Sequence, residues 1–303
     1  MALKRKSGAV VPGKERIALI GCGAMGSAIA RRLLEKGHVL RVFDINADRL
    51  AETVRYGATA AASAADAAAG ARIIVLSLNA AAIVRSAVFG NGGAAEGAAE
   101  GSIVIDMSSI DPVATRALAS EAAERGMGWL DCPLSGGAPK ALVGQLTVMA
   151  GGDAEQFESV RPVLADLCEN LTLMGASGAG QTTKLINQVL CALNFVAVAE
   201  ATRLATDAGV DAQRIPGALR GGRADSAILQ EFMGKMARHD YSPTGRIDNM
   251  VKDLDAVQAL ARSTGTPMPM TSLCMEIHRV LVSAGLGSSD NAALMRFFDG
   301  PRM

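Results

Sequence analysis

The stretch Arg16–Asp44, RIALIGCGAMGSAIARRLLEKGHVLRVFD, decides the fold. RIALI is a short β-rich run. Gly21-Cys22-Gly23-Ala24-Met25-Gly26 follows at once, then a helix-like SAIARRLLEK closed by Gly37. A second strand, VLRVFD, ends at Asp44, 18 residues beyond Gly26. Strand, GxGxxG, helix, strand and acid in this order form a dinucleotide-binding pattern. Gly21 makes the turn, Gly23 lets backbone approach a pyrophosphate, and Gly26 lets helix pack on strand. With Ala24 and Met25 they open a helix whose free N–H groups suit phosphate. Asp44 stands where the ribose hydroxyls would lie. A 2′-phosphate there meets a carboxylate, and the next residue, Ile45, offers no cation. NAD(H) is therefore expected rather than NADP(H), with Arg41 and Arg49 as the opposing consideration. Cys22, inside the loop, reads as a small hydrophobe.

Outward from this unit the alternation continues. RLAETVRY is helical, and the alanine-rich stretch 58–71 reads as helix and turn. RIIVLSL and SIVID are buried strands, separated by a helix over 80–89 and a Gly-rich turn; a helix over 112–125 and the strand GMGWLD follow. Alternation of this kind predicts an α/β domain with a Rossmann-like, doubly wound, mostly parallel sheet. Ligands of such sheets lie at the carboxyl ends of the strands, which here are Leu78-Asn79 and Ser108-Ser109. Ser109 is a candidate for the nicotinamide side or, equally, a helix N-cap ahead of Asp111-Pro112. In DCPLSGGAPKA (131–141), Ser135, Gly136 and Gly137 offer a hydroxyl and successive N–H groups that suit a carboxylate, with Lys140 nearby; the alternative is an ordinary surface loop. LTVMAGG, a helix over 154–166 and NLTLMG close the domain near Met174.

SGAGQTTKLINQVLCALNFVAVAEATRLATDAG (177–209) reads as one long helix, entered through Gly178 and Gly180 and stopped by Gly209. Its 181–208 part would span roughly 40 Å at 1.5 Å per residue. It is apolar nearly all round, except for Lys184, Asn187, Gln188, Cys191 and Asn194, which share a face. A lysine and an asparagine on a buried helix are costly unless something polar meets them. The bland alternative is a lysine snorkelling from the first turn. Helical segments follow around 211–221, 225–238, 247–264 and 270–285, so an all-α domain is expected. The chain thus divides into a basic, disordered extension over 1–14, a dinucleotide-binding domain over 15–176 and a helical substrate and oligomerisation domain over 177–303.

Composition narrows the function classes. Across 303 residues, 30 basic residues balance 30 acidic ones, which gives no electrostatic case for nucleic acid. Half the residues are hydrophobic but only 3% aromatic, the material of helices and parallel strands. Five scattered cysteines without CxxC spacing argue against a disulfide framework and a zinc site, and suit a reducing cytoplasm. The three histidines show no metal spacing. No apolar run reaches 18 residues without polar breaks, so no membrane span is expected.

From Arg16 to Phe298 the chain resembles the β-hydroxyacid dehydrogenase family, on four motifs in order: GCGAMG (21–26), DCPLSGGAPKALVG (131–144), GAGQTTKLINQ (178–188) and KDL (252–254). The resemblance implies that Lys184 is the catalytic lysine and Asn187 its substrate-positioning partner. It implies that Ser135, Gly136 and Gly137 hold the substrate carboxylate, that Lys252 lies near the nicotinamide, and that Ser109 takes a cofactor position. It implies a homodimer or homotetramer built from the helical domain. KLINQVLCALN, LRGGRADSAIL, GLGSSDNAAL and the lysine of GGAPKA are similar to the branch that reduces tartronate semialdehyde to glycerate. Two departures leave 3-hydroxyisobutyrate and threonate as alternatives. Asn291 stands where that branch has histidine, and Leu78-Asn79 replaces a common Leu-Pro. NADP-using relatives resemble Asn-Arg-Thr where this chain has Asp44-Ile45-Asn46.

Those residues support proton transfer. As an aldehyde carbon is reduced, charge builds on its oxygen, and a protonated Lys184 would stabilise it and deliver the proton. Desolvation lowers a lysine from its usual value near 10.4, which would let it act in both directions. The cleft between the two domains is the expected site. Two other readings compete. An imine reductase of this architecture would carry another residue in place of Lys184. A dinucleotide-binding sensor would need only the first domain.

Overall fold

The computed structural model describes residues 14–242 and 244–300, so the extension expected over 1–14 lies outside the described residues except for Lys14. The chain forms two compact units that divide between Lys184 and Leu185, inside the long helix rather than at its entrance.

The first unit is built on β1 (Arg16–Ile20), β2 (Val39–Phe43), β3 (Thr59–Ala60), β4 (Ile73–Leu76), β5 (Ile103–Asp106) and β6 (Gly128–Asp131). They make one parallel sheet in the order β3-β2-β1-β4-β5-β6. The order reverses between β1 and β4, which opens a crevice at their carboxyl ends. Side chains alternate across each strand. Ile17 and Leu19 enter one core with Leu33, Ile105 and Phe157, while Ala18 and Ile20 enter another with Ile74, Leu76 and Trp129. Both faces are covered, as a parallel sheet requires. The covering helices are α1 (Ala24–Glu35), α2 (Ala47–Val54), α3 (Ala64–Ala68), α4 (Ala81–Phe89), α5 (Ala94–Gly97), α6 (Pro112–Glu124), α7 (Gly137–Val143) and α8 (Ala154–Ala165). A second sheet holds β7 (Leu134–Ser135), β8 (Leu146–Ala150) and β9 (Cys168–Leu173), with β7 antiparallel and β9 parallel to β8.

Helix α9 (Ala179–Asp207) leads into the second unit, which is all-helical: α10 (Ile215–Leu219), α11 (Ala227–Ala237), α12 (Ile247–Thr264), α13 (Pro269–Leu281) and α14 (Met295–Phe298). Its core joins Leu185, Ala192, Phe195 and Ala199 of α9 to Phe232, Met233, Leu254 and Leu281. Phe195 and Phe232 meet edge to face at 4.7 Å.

The structure corrects several sequence expectations. The alanine-rich stretch hides a strand, because Thr59 and Ala60 pair with Arg41 and Val42 at the sheet edge. The helix expected over 270–285 is α13 continued by a π-helical turn at Val282–Leu286, inside which Gly285 has φ +82°. The segment around 211–221 is a 3-10 turn followed by the short α10. Helix α9 has an 18-residue window with a mean hydropathy of 1.5, long and apolar enough to cross a membrane by length and composition alone, a test that the core helix of a folded unit also meets. Leu185, Ala192, Phe195, Val196, Val198 and Ala199 pack into the core of the second unit, but only 44% of that window is buried, and Ile186, Leu190 and Leu204 are exposed, so the helix is not buried all round as its sequence suggests.

Candidate active site

The turn after β1 is shaped by contact. Gly21 takes φ +96°, a conformation suited to glycine, and its N–H donates to the Phe43 carbonyl at 2.9 Å. A β-carbon at Gly26 would overlap the Gly21 carbonyl oxygen, so α1 seats directly on the strand. Gly23 differs: a β-carbon there would meet nothing within 4 Å. Gly23 is also the N-cap of α1, with no side-chain cap and no acid in the first turn, so the positive end of α1 faces open space. The Asp44 carboxylate accepts from the Cys22 N–H at 2.7 Å and the Asn46 N–H at 2.7 Å, which fixes it at the end of β2. Cys22, Gly23 and Ala24 line a cavity of about 610 Å³ with Arg49, Tyr56 and Asn79. Met25 is half-buried. Burial pushes the Cys22 thiol up to about 11, against a lowering bond from Thr53, and the Asp44 charge adds to the rise. It is therefore a protonated packing residue at neutral pH. An open glycine, an uncapped helix start, a fixed carboxylate and the adjoining cavity fit a dinucleotide.

At the next strand ends, the Leu78 N–H donates to Ser108 Oγ at 3.0 Å, and the Ser108 N–H donates to Asp106 Oδ1 at 3.0 Å. Asn79 is exposed just before α4, and Ser109 is half-buried. Ser109 is not a helix cap, because Asp111 takes that place, accepting from the Val113 and Ala114 N–H groups at 3.0 and 2.8 Å. Asp106 and Asp131 are partners in the β5–β6 register, both fully buried. Burial raises the Asp106 carboxyl to about 7; bonds from Ser108 oppose the rise and the Asp131 charge adds to it. Asp131 is also raised by burial, against the N–H groups of Gly178 and Gln181.

Those N–H groups belong to the start of α9. Asp131 Oδ1 accepts from Gly178 at 2.8 Å and Oδ2 from Gln181 at 2.9 Å, so a buried carboxylate caps the helix that carries Lys184. Gln181 is only 1% exposed. Its Nε2 donates to the Ser108 carbonyl at 2.7 Å, and its Oε1 accepts from the Ile110 N–H at 3.3 Å. Lys184 lies one turn further on, half-buried.

Ser135 ends β7, half-buried, and Gly136 and Gly137 follow, both exposed. Their φ values are +126° and +72°, which turn the chain into α7. The segment read as a loop from the sequence is thus a strand end and a helix start, with Lys140 exposed in α7. In the second unit, Asn187 Nδ2 donates to Gln188 Oε1 at 2.9 Å, and Gln188 Nε2 donates to Asp253 Oδ2 at 2.6 Å. Lys252 Nζ lies 3.5 Å from Asp253 Oδ1. The polar stripe of α9 therefore reaches the KDL motif through hydrogen bonds.

The structure gathers Gly21–Gly26, Asp44 and Asn79 at one crevice, and ties Asn187 to Lys252 through Gln188 and Asp253. Sequence reasoning assigned no role to Asp106, Asp131 or Gln181. Asp131, an acid ending the buried run GWLD, and Gln181, a polar residue in the first turn of an apolar helix, are the available signal.

Two families match the chain. One, described as the NAD binding domain of 6-phosphogluconate dehydrogenase, covers residues 16–175. The other, described as the NAD-binding domain of NADP-dependent 3-hydroxyisobutyrate dehydrogenase, covers residues 178–298. The 2-hydroxy-3-oxopropionate reductase of Escherichia coli (strain K12) is 35% identical over 283 residues, spanning 93% of this chain and 96% of the relative. The NAD-dependent L-serine dehydrogenase of Pseudomonas aeruginosa is 35% identical over 292 residues, spanning 94% of this chain and 98% of the relative. Among solved structures, the 3-hydroxyisobutyrate dehydrogenase of Mycobacterium tuberculosis with L-serine superposes with a TM-score of 0.85 at 28% identity, covering 94% of this chain and 99% of that one.

Proposed function

The chain belongs to the β-hydroxyacid dehydrogenase family, and from that premise we propose that it reduces a three-carbon semialdehyde, tartronate semialdehyde, to glycerate. It is an NAD-dependent oxidoreductase acting on the hydroxyl group of a small hydroxyacid. The observation that carries the reading is the placement of Lys184 on a helix whose first turn is clasped to the strand ends of the dinucleotide-binding sheet. When bound, NADH supplies the hydride. Lys184 then gives its proton to the carbonyl oxygen on which charge develops, and takes it back in the reverse direction. Asn187, one turn on, hydrogen-bonds the same substrate and helps to position it. Ser135 and the N–H groups of Gly136 and Gly137 hold the substrate carboxylate, and Lys140 adds positive charge beside them. Leu78, Asn79 and Ser109 border the cofactor, and Lys252 lies by the nicotinamide.

The substituent at C2 is the open variable. Glycerate and L-serine are both three-carbon 3-hydroxy acids and differ only there, and relatives named for each chemistry are 35% identical to this chain. The stretches KLINQVLCALN, LRGGRADSAIL and GLGSSDNAAL, together with Lys140, favour the hydroxyl. In the helical unit, Ile186, Leu190, Met270 and Leu273 are each more than half exposed, which supports a second copy covering them in a homodimer or homotetramer. Five free thiols support a reducing, cytoplasmic location.

The test is NADH oxidation with tartronate semialdehyde and cyclic imines, and NAD⁺ reduction with glycerate, L-serine, 3-hydroxyisobutyrate and threonate. The highest kcat/KM is expected for the tartronate semialdehyde–glycerate pair, with Lys184→Ala slower by about 10²–10⁴-fold. A higher kcat/KM for any other compound replaces the substrate. A Lys184→Ala enzyme within a factor of a few of wild type removes the lysine from the chemistry.

A further inference from the structure

Gln181 is buried, polar and doubly engaged. Its amide uses its nitrogen on the Ser108 carbonyl and its oxygen on the Ile110 N–H, and so brackets Ser109. Its own backbone N–H is held by Asp131 at 2.9 Å. Ser108 in turn accepts from the Leu78 N–H through its hydroxyl. One side chain therefore joins the carboxyl ends of β4 and β5 to the first turn of α9. Residues three apart on a helix share a face, so Gln181 and Lys184 project from the same side of α9.

The geometry points to Gln181 as a positioning residue for the reaction: by bracketing Ser109 from inside α9, it sets the distance between the cofactor-side loop and Lys184. The inference rests on the reading of Lys184 as the acid–base group. A side chain that closes both of its hydrogen bonds on one loop leaves that loop no freedom to slide along the helix. A misplacement near 1 Å at a reacting group can cost on the order of 10² in rate. A clasp that only stabilised the fold would leave the chemistry of folded molecules unchanged.

The experiment compares Gln181→Met, of similar length but without either hydrogen bond, with Gln181→Asn, polar but one methylene too short to reach both partners. For each, the thermal midpoint, NADH affinity, kcat and the primary isotope effect with 4-deuterated NADH are measured on the intact protein. NADH affinity should stay within about threefold. The kcat should fall by about 10–100-fold, with an enlarged isotope effect as hydride transfer becomes rate-limiting. If Gln181→Met does not fold, Gln181→Asn carries the same expectation. A lowered midpoint with kcat per folded site unchanged, in whichever variant folds, overturns the inference. An inert Lys184→Ala enzyme beside an unimpaired Gln181 variant sinks this inference alone. An active Lys184→Ala enzyme sinks the acid–base reading and removes the target with it.

Discussion

Gly26 packs so closely on Gly21 that a β-carbon on the one would overlap the carbonyl oxygen of the other, while Gly23, between them, faces open space. Two glycines of one motif thus serve folding and the third leaves room. Gly26→Ala should depress the thermal midpoint or prevent folding, because backbone rather than a flexible side chain must give way. Gly23→Ala should leave the midpoint within a degree or two, since φ −64° and ψ −174° suit alanine. It should weaken NADH binding at least about tenfold, by putting a methyl group where the pyrophosphate passes. Melting curves and NADH titration of both variants check this. Unchanged NADH affinity in Gly23→Ala would mean that the open space is not the cofactor's.

That contrast shows which parts of the site were legible in the sequence. Glycine spacing is read from sequence because the turn, the approach and the packing contact each exclude a side chain. The strand at Thr59–Ala60 was not legible, because two residues carry no period and its pairing with Arg41 and Val42 is a tertiary fact. The capping of α9 by Asp131 joins residues 47 and 50 positions apart, and no local pattern announces it. Ser109 was ambiguous because Asp111, two residues on, is an equally good cap and takes the role.

The pair Asp106 and Asp131 predicts a pH dependence of stability. Burial holds the Asp106 carboxyl at about 7 in the fold, against 3.8 as its ordinary value. Between those values the folded chain keeps a proton that the unfolded chain has lost. Stability therefore falls as pH rises through the window, by an amount on the order of a few kcal/mol, and levels off above 7. Asp106→Asn, which imitates the protonated form, should match wild type near pH 4 and melt higher than wild type at pH 8. Equal midpoints at pH 8 would show that Asp106 ionises in the fold without cost.

Ser135 offers a hydroxyl at the end of β7, next to two glycines in left-handed conformations that expose their N–H groups. Ser135→Ala should raise KM for the acid severalfold while changing kcat less. The penalty should vanish for an analogue whose carboxylate is replaced by a neutral amide. Steady-state kinetics with the two compounds decide it, and an equal loss with both would show that Ser135 does not read the carboxylate.

The proposed role of Asp44 is to decide between the two nicotinamide cofactors. Its carboxylate is fixed by the N–H groups of Cys22 and Asn46, both at 2.7 Å, and remains able to accept from ribose hydroxyls. A 2′-phosphate, with a charge approaching −2 near neutral pH, would bring repulsion and remove a hydroxyl donor. The opposing residues are Arg41 and Arg49. Arg41 is engaged elsewhere, donating to Asp66 at 2.6 Å. Arg49 lines the adjoining cavity and could meet a phosphate. It sits on α2, five residues past Asp44, whereas in the proposed cofactor pose the carboxylate meets the ribose hydroxyls directly, so the repulsion should prevail. The kcat/KM for NADH should exceed that for NADPH with one saturating aldehyde, and the reverse order would sink the assignment. Ile45 is 94% exposed, so Ile45→Arg adds a cation with little cost to the fold. Combined with Asp44→Asn it should narrow or reverse the ratio. Asparagine retains one acceptor oxygen where the carboxylate uses two on backbone N–H groups, so the double variant should also lose efficiency with NADH. A gain with NADPH in Asp44→Asn alone, with Arg49 unchanged and no cation added at position 45, would locate the discrimination at Asp44.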